Sequence, residues 1–117
     1  MIRRSLFLLV ACVSLCFAAD ISGKWDFSVD IGGNSGSPAF EFQQNGESLT
    51  GTYRGLLGQA KVSGTVKADT IDFKFSGELN GEKIDVRYTG KIESDKKMKG
   101  TLTLGSLGEG TWTATRK

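Results

Sequence analysis

The chain contains no histidine. That removes the commonest general base, the usual imidazole ligand of zinc and haem, and the side chain that titrates near neutral pH. Serine and cysteine triads fail with it. Proline occurs once, at Pro38, and cysteine twice, at Cys12 and Cys16. Both cysteines lie in the first twenty residues, so the body of the chain has no disulfide to hold it. No apolar run is long enough to span a bilayer comfortably. An excess of one charge is missing too: with Arg3 and Arg4 set aside, 13 basic residues face 13 acidic ones. A neutral surface argues against nucleic acid as a partner. What the chain has in quantity is glycine, 16 residues in 117, which disfavours a helical bundle and suits tight turns.

Residues 1–18 read as a secretory signal peptide. Arg3 and Arg4 supply the charged start, Leu6 to Phe17 the apolar stretch, and Cys16 and Ala18 the small residues before a cleavage site. The expected product is a secreted or periplasmic domain spanning residues 19–117. A second reading stands beside it. Leu9-Val10-Ala11-Cys12 matches a lipobox, in which Cys12 would carry lipid and anchor the protein to a membrane. The apolar Val13–Phe17 stretch left behind the lipid weighs against it.

From Ile21 onward the pattern is strict alternation with a period of two, which marks half-buried strands. Ile21, Gly23, Trp25, Phe27, Val29 and Ile31 share one face, and Phe40 and Phe42 follow on the second segment. Further segments carry Leu49 and Tyr53, Val62 and Val66, Ile71, Phe73 and Phe75, then Ile84, Val86 and Tyr88. Met98 to Leu104 and Gly110 to Ala114 complete eight segments, and none has helical periodicity. Asn45-Gly46 and Asn80-Gly81 are strong hairpin turns. A two-sheet sandwich alternates in the same way. Connections this short, however, favour sequential neighbours. The expected fold is therefore all-β, an eight-stranded antiparallel up-and-down barrel, whose closure removes exposed edges.

Glycine recurs on the apolar face of these segments. Gly51, Gly64, Gly77 and Gly90 are 13 residues apart, and Gly90, Gly100 and Gly110 are 10 apart. Glycine inside a strand marks a bend or a close approach. Two readings stay open: packing and coiling of the strands, or gaps that keep a cavity empty.

Ile21-Ser22-Gly23-Lys24-Trp25 resembles the opening Gly-x-Trp strand of calycin-type barrels, the avidins and lipocalins. Leu49-Thr50-Gly51-Thr52-Tyr53 is similar to the third strand of avidins, and the whole chain resembles small secreted bacterial barrels without an assigned role. The resemblance implies that Arg116 stacks on Trp25 and that the two plug one barrel end. It does not carry biotin binding over. Tyr53 alone falls on a biotin-contacting position, while Phe27 and Gly55 stand where avidins place polar residues.

In a meander, alternate loops gather at opposite rims. One set, Gly32–Ser37, Gly55–Gly58, Asn80-Gly81 and Gly105–Gly108, is glycine-rich and carries Leu56, Leu57 and Leu107. The other set, Asn45–Glu47, Lys67–Asp69 and Glu93–Lys97, is charged and compact. The glycine-rich end reads as a mouth. Strand carboxylates such as Glu41, Asp72, Asp85 and Glu109 fall on the outward face, leaving no inward pair for acid–base chemistry or a metal. The expected function is non-catalytic uptake of a small apolar or mixed ligand, with no cofactor. Phe27, Phe40, Phe42, Tyr53 and Phe75 are the interior candidates, and Leu56, Leu57 and Leu107 those at the rim. The alternative is a protein-contact module of the cell envelope, such as a barrel-type proteinase inhibitor. Inhibitors of that type insert an N-terminal trunk, and one or two residues before Ile21 make a poor one.

Overall fold

The computed structural model describes residues 20–117, so the signal peptide, its cleavage site and the lipobox all lie outside the described residues. The strands are β1 (Gly23–Ile31), β2 (Asn34–Gly36), β3 (Ala39–Asn45), β4 (Ser48–Gly55), β5 (Gly58–Lys67), β6 (Thr70–Leu79), β7 (Glu82–Ser94), β8 (Lys97–Leu104) and β9 (Gly108–Arg116). From β3 to β9 neighbours pair antiparallel in chain order, and β1 pairs β9 from Trp25↔Arg116 to Asp30↔Thr111. The sheet thereby closes into an up-and-down barrel. Segments β2 and β3 both pair with β1 and are two halves of one barrel strand, so nine segments make eight staves. Among the described residues there is no helix, hence none long and apolar enough to cross a membrane.

The first connection differs from the loop expected at Gly32–Ser37. It is a two-residue turn at Gly32-Gly33, and Asn34–Gly36 already pairs back onto β1. Both turn residues have positive φ, 59° and 89°, which glycine adopts without strain and which matches the twist of a hairpin. The break in the second strand comes later, at Ser37-Pro38. Proline cannot donate to the ladder, and Phe27 N instead donates to the Pro38 carbonyl at 3.0 Å.

Alternation along each strand puts the apolar face inside. Phe27, Phe40, Phe42, Phe73, Tyr88 and Trp112 are all buried and interlock at the centre. Phe73 stacks on Tyr88 at 4.9 Å between ring centroids, and Phe27 on Trp112 at 5.0 Å. The rings meet in stacked and edge-on geometries that contribute beyond plain burial. The barrel is filled here by side chains.

The glycine stripe serves this packing. Gly90 faces Gly100 across β7 and β8, and a Cβ at Gly90 would lie 2.7 Å from Cζ2 of Trp112. The indole rests on this bare stretch, and its Nε1 donates to the carbonyls of Thr101 at 2.9 Å and Thr89 at 3.2 Å. Gly51, Gly64 and Gly110 similarly leave no space between their Cα and the backbone of an adjacent strand. Of the two readings of the repeat, close approach of strands is the one these positions fit, and the space they leave is occupied.

Candidate functional site: the barrel mouth

One end of the barrel is shut. Trp25 is fully buried, and its Nε1 donates to the Ile21 carbonyl at 2.9 Å, which holds residues 20–22 across the opening. Ile21 N donates to Oε1 of Gln44, and Gln44 N donates to Oγ of Ser22, both at 2.9 Å. The Arg116 guanidinium carbon lies 4.8 Å from the Trp25 ring centroid. Its nitrogens donate to the carbonyls of Ser22 (2.6 Å), Asp20 (2.7 Å) and Asp95 (2.7 Å). Charged loops surround this end, and Ser22 N donates to the Asp20 carboxylate, a bond that holds the Asp20 pKa below its usual range. Access to the interior is from the other end.

There the barrel wall parts. Strands β5 and β6 pair only from Lys67↔Thr70 to Ser63↔Lys74. Above that level β6 continues with β7 alone, as far as the Leu79↔Glu82 pair and the Asn80-Gly81 turn. The β4–β5 turn leans into the gap: the Leu57 carbonyl accepts from Glu78 N at 3.1 Å, and Leu57 N donates to the Tyr53 hydroxyl at 3.2 Å. Gly77 makes room for this, since a Cβ there would sit 2.6 Å from Cβ of Leu57. Leu57 is therefore a half-buried wedge in the wall. It does not swing as a free flap, because its backbone is held on both sides.

The wall encloses an open cavity of about 630 Å³ with a mainly apolar lining. Tyr53, Phe75 and Tyr88, all buried, form its floor. Val29, Val86, Leu57 and Leu104 stand along the sides, and the exposed Leu56 and Leu79 mark the rim. Of the expected residues, the cavity thus gathers Tyr53, Phe75, Leu56 and Leu57. Phe27, Phe40 and Phe42 lie beneath it in the packed aromatic layer, and Leu107 stands exposed on the β8–β9 turn outside the lining. A polar hollow of about 280 Å³ near Lys24, Glu41 and Arg54 belongs to the outer wall.

The site is electrically quiet. Among the described residues no charged side chain is buried. The ionised side chains pair outside the wall, as Arg87 does with Asp72 at 2.6 Å. The floor holds two phenols. Burial pushes the Tyr53 pKa up against the opposing hydrogen bond from Leu57, and burial pushes Tyr88 up further, with Tyr53 adding to it. Both hydroxyls stay protonated at neutral pH. Alternation along β7 places Tyr88 inward beside Val86, yet nothing in that pattern separates a cavity-lining ring from a filling one. The same pattern does not single out Leu79, Val29 and Leu104, which also line the cavity.

No family model and no curated protein matches this chain. Among solved structures the chain is similar to one described as a redesigned β-barrel, with a TM-score of 0.68 and 20% sequence identity over 83% of this chain and 91% of the other. At that identity the likeness speaks for the barrel fold alone.

Proposed function

We propose that the protein is an exported, non-catalytic binding protein that takes a small apolar or mixed ligand into the barrel mouth. The observation that carries this reading is the cavity of about 630 Å³, open to solvent, apolar in its lining and floored by aromatic rings. Its size falls in the range of small-molecule sites, and the filled, capped remainder of the barrel directs any ligand to it. The lack of histidine, and of buried charge among the described residues, supports binding without catalysis. A second reading, contact with a protein, draws on Leu56 and Leu107, which are 87% and 62% exposed at the same rim.

Titration with N-phenyl-1-naphthylamine, which brightens in apolar sites, tests the first reading. The wild-type protein should show saturable enhancement. Leu104→Trp, which enlarges a cavity wall, should abolish most of it while the barrel stays folded. Absence of saturable enhancement in the wild type would remove the ligand-binding reading and leave the protein-contact one.

A further inference from the structure

Tyr88 is 3% exposed, and its hydroxyl has no hydrogen-bond partner among the described residues. Buried phenols usually find one. Tyr88 nevertheless lines the cavity, as Tyr53 does, and the Phe75 ring packs against both, at 4.2 Å from Tyr53 and 6.0 Å from Tyr88 between centroids. The Tyr53 oxygen already accepts from Leu57 N, so its own proton remains to be given away. The lining is mainly apolar, with Ser35 and Ser37 as its other polar side chains, and among the described residues neither phenol donates to an acceptor.

On the reading of the mouth as a ligand site, we propose that its ligand is an apolar molecule bearing a neutral hydrogen-bond acceptor, such as a ketone, aldehyde, ester or amide carbonyl, which enters first and is held by Tyr88 and Tyr53. The acceptor is neutral because no cation lines the cavity, and an ionised carboxylate buried without one is costly. A carbonyl oxygen accepts hydrogen bonds without bringing a proton of its own. A pure hydrocarbon leaves both phenols unpaired and carries that penalty. A carbinol would satisfy one donor and bring a further proton needing its own acceptor.

The test uses two molecules of the same shape, 2-acetylnaphthalene and 2-isopropylnaphthalene, measured by displacement of N-phenyl-1-naphthylamine from wild type, Tyr88→Phe and Tyr53→Phe. Removing one neutral hydrogen bond should weaken the ketone about three- to tenfold in each variant. The hydrocarbon should bind Tyr88→Phe as well as wild type, or better, since an unpaired donor has been removed. Opposite movement of the two ligands is a result that general damage to the barrel does not give. Equal losses for both, or an unchanged ketone affinity, would overturn the carbonyl assignment while the mouth remains a binding site. Failure of the probe and both naphthalenes to bind the wild type would overturn the site itself and this inference with it.

Discussion

Arg116→Ala should unlatch the closed end of the barrel. The guanidinium joins three stretches of chain: it donates to Ser22 and Asp20 before β1, to Asp95 in the β7–β8 turn, and lies over Trp25 from the last strand. The bond to Ser22 is partly buried, and a charge-assisted bond of that kind contributes about 1.5 kcal/mol net. The bonds to Asp20 and Asp95 are exposed, where water takes over much of the work, so about 0.5 kcal/mol each is reasonable. The cation–π contact adds about 0.5–1 kcal/mol. Loss of the side chain should therefore cost about 3 kcal/mol, roughly 12–24 °C in Tm for a domain of this length. Urea unfolding followed by tryptophan fluorescence measures it, with the slope unchanged if the native barrel is otherwise intact. Arg116→Lys keeps the charge and loses the planar fork, so it should recover only a minor part. A loss below about 1 kcal/mol in Arg116→Ala, or a lysine variant as stable as wild type, would refute the latch.

Three further outcomes are expected. Leu56→Ser should change stability by less than about 0.5 kcal/mol, whereas Leu57→Ser should cost about 1–2 kcal/mol, because only the second side chain is wedged against the core; denaturant midpoints of the two single variants check this. Mass spectrometry of exported protein should find a chain beginning at Ala19 or Asp20, and a lipidated species beginning at Cys12 would make it an anchored lipoprotein instead. Stability should be full below the ordinary tyrosine pKa of 10.0 and fall as pH rises past it, since both tyrosines titrate higher when folded and the unfolded chain loses its phenolic protons first. Each tyrosine contributes a slope of up to about 1.4 kcal/mol per pH unit, and Tyr88→Phe should flatten the alkaline limb.

The architecture was legible because alternation is a direct imprint of a sheet with one buried face. Trp25, Phe27 and Val29 against Lys24, Asp26 and Ser28 place β1 without any tertiary information. Turn chemistry places the tight turn at Asn80-Gly81, and the adjacent glycines of Gly32-Gly33 permit a turn just as tight, a signal that a run of six small and polar residues conceals. The candidate site was less legible, because depth is not written in a period of two. Phe42 and Phe75 are equally apolar and equally inward, yet one packs beneath the cavity and the other forms its floor. What separates them is the level at which β5 parts from β6, a property of register between strands. Gly77 belonged visibly to the glycine repeat, but its neighbour was Leu57 across that parting, and only the folded chain brings the two together.

That parting also limits what the mouth can hold. An eight-stranded barrel has room inside for side chains or for one small ligand, and here the lower part is taken by Trp25, Phe42, Phe73 and Trp112, each no more than 2% exposed. A chain without a disulfide in its body gains most of its stability from that filling, since small domains bury little surface otherwise. The consequence is a shallow site. On the proposed reading a long acyl chain would meet Tyr88 and the aromatic layer, whereas a compact ring system would suit a space of about 630 Å³. Substitutions at Leu56 or Leu79 should alter which molecules enter, and those at Phe73 or Trp112 whether the barrel folds.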